Sequence, residues 1–230
     1  MNFLSIKIRY LFFKVHLKRY FRIYTNLLKP NKKKRNNKII NELNKNGYYI
    51  VNNYITKEQS AKAAKQLKEK MASNHTFVHE GEDKRLLGCE LLVPLAAALS
   101  KDQKFLELAE HINQEPSYCG FVAGGILKAG NHGSSGGGWH RDSIEGQFKV
   151  LLYLTDVADE NGPFEIIPKS NQLASIISTI EKASIKLLQT RLSDEDVCRI
   201  EDRLNLKRKT ITAQAGTLIL FNSGTIHRGK

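Results

Sequence analysis

Cysteine is scarce in this sequence. Cys89, Cys119 and Cys198 are the three among 230 residues, and no two of them form a Cys-x-x-Cys pair. This spacing argues against a disulfide framework and against a zinc site built from thiolates. We expect reduced, buried thiols, as in a protein of the cytoplasm. The sequence has no internal repeat, and its length predicts one hydrophobic core with an appendage.

Acidic residues are absent from the first 38 positions, which carry twelve lysines and arginines. The other 192 residues hold 24 basic and 23 acidic side chains, so the net charge of +13 belongs to the leader. We therefore expect no basic groove on the globular part and no nucleic-acid partner. Long apolar runs are also missing, because none reaches the roughly 18 residues that span a bilayer. No small-residue cleavage site follows an apolar stretch, which argues against a signal peptide.

The basic leader alternates apolar and charged side chains over residues 1–29. Wound as a helix, it places Lys7, Lys14 and Lys18 on one side, which is typical of a basic amphipathic helix. Two interpretations stay open: the helix lies on an anionic membrane surface, or it packs its apolar stripe on the protein's own body. Residues 29–38 have the composition of a solvated linker. The sequence thus predicts a leader and linker over 1–38 and a globular domain over 39–230.

The globular part changes from helical to strand-like patterns along its length. Thr56-x-x-Gln59 is a capping box that opens one helix, a charged loop is expected after Met71, and residues 91–112 predict one or two helices. Strands are predicted within 47–56, 118–130, 148–157, 160–168 and 209–222, with a helical stretch over 171–209. This order predicts an α+β protein whose strands form a sandwich or jelly roll, with flanking N-terminal helices and a helical insertion.

A glycine-rich loop leads into Trp-His-Arg-Asp-Ser at residues 139–143. Side chains two positions apart in an extended segment face the same way, so His140 and Asp142 are predicted to face one space. Arg141 then points outward, where a surface residue or ion pair is expected. His227 follows an apolar strand that can deliver a second imidazole at its end. Two histidines and one carboxylate leave three coordination positions open, which suits a non-haem Fe(II) oxygenase better than zinc.

Three motifs in this region resemble the phytanoyl-CoA dioxygenase family of Fe(II)/2-oxoglutarate-dependent oxygenases. They are WHRDS at 139–143, VLLYLTDVADENGPFEIIPKSN at 150–171 and AGTLILFNSGTIHRG at 215–229. The resemblance covers most of residues 40–230. It implies a double-stranded β-helix, or jelly roll, with His140, Asp142 and His227 as the catalytic iron ligands. It also implies Fe(II) as the metal, with 2-oxoglutarate and O₂ as co-substrates.

The activity that this resemblance implies is hydroxylation of an unactivated C–H bond in a small-molecule or acyl substrate. Asp142 favours hydroxylation, because related halogenases replace this carboxylate with a small residue. The alternative is a non-catalytic jelly-roll protein that binds metal, or a membrane-peripheral protein that acts through its basic N-terminal helix. We expect a cytoplasmic location, with attachment to the membrane periphery as the alternative.

Other residues of the site are less well specified by the sequence. In the family, an arginine about one strand past the second histidine binds the far carboxylate of 2-oxoglutarate. We expect this arginine, and the last strand or strands of the sheet, to lie beyond Lys230 in a longer chain. Within the sequence, Lys149 and Tyr153 are weaker candidates, because their spacing puts them on one face of a strand. Trp139 is expected to pack over the metal or in the core.

Overall fold

The computed structural model describes residues 38–73, 77–78, 84–127, 138–186 and 189–230. The leader and linker predicted over 1–38 lie outside these residues except for Lys38, so that division of the chain, the amphipathic helix and its membrane contact stay predictions. From Ile39 onward the chain forms one compact unit. No helix within the described ranges is both long enough and apolar enough to cross a bilayer.

Helices dominate the first half of the described chain. They are α1 (Lys38–Asn46), α2 (Lys57–Ala72), α3 (Pro94–Ser100) and α4 (Gln103–Asn113). The predicted capping box is confirmed: the Gln59 backbone N–H donates to Thr56 Oγ1, and the Thr56 N–H donates to Gln59 Oε1. Two helices form over the predicted 91–112 stretch because Asp102 caps the second, accepting a hydrogen bond from the Lys104 N–H at 2.9 Å.

The described strands form three antiparallel sheets of three strands each. Sheet I contains β1 (Tyr48–Val51), β8 (Leu218–Asn222) and β5 (Phe148–Leu152), in that order. Sheet II contains β2 (Phe77–Val78), β3 (Lys84–Leu87) and β4 (Ala123–Ile126). Sheet III contains β7 (Lys209–Ile211), β6 (Phe164–Ile166) and β9 (His227–Gly229). Between β6 and β7 lie α5 (Leu173–Glu181) and α6 (Asp194–Leu204), where a helical insertion was predicted.

Successive side chains of β8 point alternately into two apolar layers, one on each face of the strand. Ile219 and Phe221 pack with Phe164, Ile166 and Ile211, so this layer joins sheet I to sheet III. Leu218 and Leu220 point the other way and pack with side chains of α1 and α4, namely Leu43, Leu108 and Ile112. Because both faces of β8 are covered, the strand is apolar at nearly every position, as its sequence LILFN requires.

Two expectations from the sequence, one about a loop and one about the cysteines, are wrong. The charged loop expected after Met71 contains β2 and β3, since Leu86 is buried and pairs with Gly124 of β4. A Cβ atom at Gly124 would lie 2.3 Å from Cδ1 of Leu67 of α2, so a larger residue there would force this buried side chain to move. Cys89 is buried as expected, but the free thiols of Cys119 and Cys198 are exposed because they lie outside the apolar layers.

Candidate metal centre

His140 and His227 lie directly opposite each other on neighbouring backbone segments. The N–H of each residue donates to the carbonyl oxygen of the other, and both distances are 2.9 Å. The Asp142 N–H donates to the Ser223 carbonyl at 3.1 Å, and this hydrogen bond holds Asp142 beside the turn after β8. His227 is therefore not delivered at the end of β8, as the sequence suggested. It begins β9 after a turn over residues 223–226, and it pairs with Ile166 of β6.

The three side chains predicted to bind iron come together in the structure. Candidate ligand atoms of His140, Asp142 and His227 all lie within 4.8 Å of one another. The Nε2 atom of His140 is 3.6 Å from Oδ1 of Asp142, and the two imidazole centroids are 4.3 Å apart. The side chain of His140 is 11% exposed and His227 is buried, whereas the side chain of Asp142 is 28% exposed. The centre is thus buried on its histidine side and open beside the carboxylate.

Backbone carbonyls fix the tautomer of both histidines. Nδ1 of His140 lies 2.8 Å from the Gly138 carbonyl oxygen, and Nδ1 of His227 lies 2.7 Å from that of Thr225. A carbonyl accepts hydrogen bonds and cannot donate, so each Nδ1 carries the proton. The Nε2 atom of each ring keeps its lone pair, and this is the arrangement in which imidazoles bind metal ions. Two nitrogen donors and one carboxylate fit a divalent transition metal.

Burial and neighbouring charges set the protonation of the three residues. Burial lowers the pKa of His140, and burial together with the adjacent His140 lowers the pKa of His227 to about 4. Burial opposes ionisation of Asp142, but the hydrogen bond and charge of Lys149, followed by the two imidazoles, bring the pKa of Asp142 below its ordinary value. At neutral pH the centre therefore contains two neutral imidazoles and one carboxylate, which is the state that binds a cation without losing protons.

The pH dependence of stability follows from the buried His227. We expect the unfolding free energy of the metal-free protein to fall as pH drops from about 6.5 toward about 4. In this window the imidazole is protonated in the unfolded chain but stays neutral in the folded protein. The contribution of His227 to stability is therefore complete above about pH 6.5 and is lost as the pH falls toward about 4. The loss should be about 3 kcal/mol at most. Urea denaturation across pH should show a smaller fall for His227→Gln, and equal falls in both proteins would contradict the assignment.

The two weaker candidates from the sequence lie in different surroundings. The Lys149 ammonium contacts Oδ2 of Asp142, so this cation belongs to the candidate centre. The Tyr153 hydroxyl donates to the Ile211 carbonyl at 3.0 Å and accepts from the Phe164 N–H at 2.9 Å. Burial raises the pKa of Tyr153 to about 12. Tyr153 therefore joins sheets I and III within the core, with both of its hydroxyl interactions made to the backbone.

Trp139 and Arg141 lie behind the strand segment that carries the centre. Trp139 is 1% exposed, and its indole N–H donates to Asp194 Oδ1 at 3.0 Å. The Arg228 guanidinium lies 4.5 Å above the ring, so Trp139 occupies the core rather than the metal face.

The surface position expected for Arg141 is wrong. It is 6% exposed, because it faces a small cavity lined by Ile176 and other residues of the helical insertion, and burial lowers its pKa to about 10.

Two aromatic neighbours of the centre were missed from the sequence. The Phe221 and Phe164 rings lie 5.1 Å and 5.5 Å from the His227 ring. Both side chains are buried in the layer between sheets I and III. Each phenylalanine lies two positions from another inward-facing residue of a predicted strand. This alternation is the signal that could have identified both residues. They give the imidazole of His227 an apolar wall.

A comparison with protein families decides where the chain belongs. The profile of the family described as Phytanoyl-CoA dioxygenase (PhyH) matches residues 43–230. The chain belongs to the phytanoyl-CoA dioxygenase family. The L-proline trans-4-hydroxylase of Streptomyces griseoviridis is 25% identical over 162 residues, which are 62% of this chain and 59% of that enzyme. This member of the phytanoyl-CoA dioxygenase family therefore spans less than two thirds of the relative's length.

Solved structures share the fold of this family member. The non-haem alpha-ketoglutarate-dependent carbocyclase SnoK from nogalamycin biosynthesis matches with a TM-score of 0.60 and 12% identity, over 84% of this chain and 77% of that protein. EctD from S. alaskensis, solved with 2-oxoglutarate and 5-hydroxyectoine, matches with a TM-score of 0.57 and 16% identity, over 82% and 67%. At these identities the likeness establishes the fold.

Proposed function

We propose that this protein is a non-haem Fe(II)/2-oxoglutarate-dependent dioxygenase that hydroxylates an unactivated C–H bond of a small-molecule or acyl substrate. The observation that carries the proposal is the convergence of His140, Asp142 and His227, whose ligand atoms lie within 4.8 Å of one another. Membership of the phytanoyl-CoA dioxygenase family supports the same chemistry. Free amino acids are the first substrates to test, because the related enzyme is named as a proline hydroxylase.

The proposal includes a jelly-roll fold. Its support is the packing of sheet I against sheet III through one apolar layer, together with the likeness to solved non-haem oxygenases. In this arrangement β6 and β9 of sheet III present His227, and the segment at residues 140–142 lies beside the turn that joins β8 to β9. His227 is thus held by a strand, whereas His140 and Asp142 are held by backbone hydrogen bonds to His227 and to Ser223.

Each residue of the centre has a definite role in the proposed reaction. Nε2 of His140, Nε2 of His227 and Oδ1 of Asp142 would hold the metal on one side and leave the other side open. When bound, Fe(II) and 2-oxoglutarate supply the activation of O₂ for attack on a C–H bond. Phe164 and Phe221 exclude water from one side of His227. The carbonyls of Gly138 and Thr225 keep both imidazoles in the tautomer that binds.

The proposal is tested by turnover of 2-oxoglutarate. We expect the purified protein to form succinate when Fe(II), 2-oxoglutarate and O₂ are all present, and to stop when the metal is chelated. A panel that starts with L-proline and other free amino acids should contain compounds that raise the rate and gain one oxygen atom by mass spectrometry. Metal binding without any succinate would contradict the enzymatic proposal and indicate a non-catalytic metal-binding protein.

A further inference from the structure

Lys149 occupies a position from which it faces the candidate metal centre. In sheet I it lies directly opposite Phe221 of β8. Opposed residues of an antiparallel pair have their side chains on the same face of the sheet. The Phe221 ring lies 5.1 Å from the His227 ring, so this face is the one that carries the centre. Lys149 therefore brings a half-exposed ammonium group to the open side of the candidate metal centre.

The two oxygens of Asp142 have different partners. Oδ1 lies 3.6 Å from Nε2 of His140, on the side of the imidazoles. Oδ2 contacts the ammonium of Lys149 instead. One oxygen is thus available to a metal between the histidines, whereas the other is already held by a positive charge. A carboxylate that is free on both oxygens can bind a metal through one or through two of them.

We propose that Lys149 is a positioning residue that restricts Asp142 to binding the metal through Oδ1 alone. This inference rests on the proposed function. With Oδ2 held by the ammonium, the coordination position that a second carboxylate oxygen would fill stays open for 2-oxoglutarate or O₂. This arrangement weakens metal binding, because an ammonium close to a divalent cation repels it. Lys149 therefore lowers metal affinity and preserves open coordination positions.

Three variants separate this role from a general effect of charge or folding. Lys149→Met removes the ammonium and keeps a side chain of similar length, and Lys149→Arg retains a cation that can hold Oδ2. Lys65→Met is the matched control, since Lys65 also pairs with a carboxylate, Glu69 at 4.0 Å, but on the exposed surface of α2. Co(II) is the metal probe, and its binding is followed by calorimetry without turnover.

We expect Lys149→Met to bind Co(II) about tenfold more tightly than the wild type, because the repulsive charge has gone. We expect the same variant to bind 2-oxoglutarate about tenfold more weakly in its Co(II) form, because Asp142 now fills a second position. Lys149→Arg and Lys65→Met should match the wild type in both measurements. The visible spectrum of bound Co(II), which depends on coordination number, should change in Lys149→Met alone.

Pyruvate distinguishes positioning of Asp142 from direct contact with the co-substrate. It has the metal-binding end of 2-oxoglutarate but no second carboxylate, so positioning predicts that Lys149→Met weakens both ligands equally. Weakening of 2-oxoglutarate alone would overturn the inference and make Lys149 a contact of the second carboxylate. Weaker Co(II) binding by Lys149→Met, or no change, would overturn it too. A wild type that binds no Co(II) would instead contradict the proposed function itself.

Discussion

Asp142→Ala is expected to abolish metal-dependent succinate formation, with a loss of at least about a hundredfold. The substitution removes the anionic donor of the set and leaves two neutral imidazoles. It also leaves the Lys149 ammonium, which contacts Oδ2 of Asp142, facing the centre without its partner. Metal affinity and turnover should therefore fall together, and calorimetry with Fe(II) under anaerobic conditions measures the first of them.

Asp159→Ala is the control for this substitution. Its carboxylate is exposed on the surface, pairs with Lys230 at 3.2 Å, and does not belong to the group of candidate ligands. Asp159→Ala should bind Fe(II) and form succinate like the wild type. Asp142→Asn, which keeps the shape and loses the charge, should be nearly as defective as Asp142→Ala. Full metal occupancy in Asp142→Ala would contradict the role given to this carboxylate.

Trp139→Ala is expected to lower the free energy of unfolding by about 3–5 kcal/mol. The indole is 1% exposed and packs with Val197, Ile200 and Ile226 in the core behind the centre. Its removal opens a cavity there and leaves Asp194 without the indole hydrogen bond of 3.0 Å. Urea denaturation at neutral pH measures the change, and Trp139→Phe should lose less because it fills part of the space.

Tyr118→Ala provides the comparison for this loss of stability. Tyr118 is 87% exposed, so removal of its ring should change the unfolding free energy by no more than about 0.5 kcal/mol. A Trp139→Ala protein that is as stable as the wild type, but binds substrate poorly, would contradict the core position. It would support the other expectation from the sequence, in which the indole covers the metal.

The candidate centre could largely be predicted because its signals are local. A spacing of two residues in an extended segment places His140 and Asp142 on one side. The apolar run before His227, and the motifs shared with the family, single out the second histidine. The helical insertion was predictable for the same reason, since Ser193 and the acids after it mark the start of α6.

The features that were missed depend on tertiary packing. Arg141 is buried because the helices inserted between β6 and β7 cover the back of its segment, and no local pattern predicts that cover. β2 and β3 form in a charged stretch because β3 pairs with β4, some 40 residues later in the chain. The contact between Lys149 and Asp142 joins β5, whose register is set by β8, to a segment that is held by the turn after β8 and by β9. Such contacts follow from strand order rather than from residue spacing.

Anomalous diffraction from crystals of the protein soaked with Fe(II) under anaerobic conditions tests the metal centre most directly. We predict one strong iron peak about 2.1 Å from Nε2 of His140, Nε2 of His227 and Oδ1 of Asp142. A peak bound by fewer than these three atoms, or no peak between the two imidazoles, would contradict the assignment of this site as an iron centre.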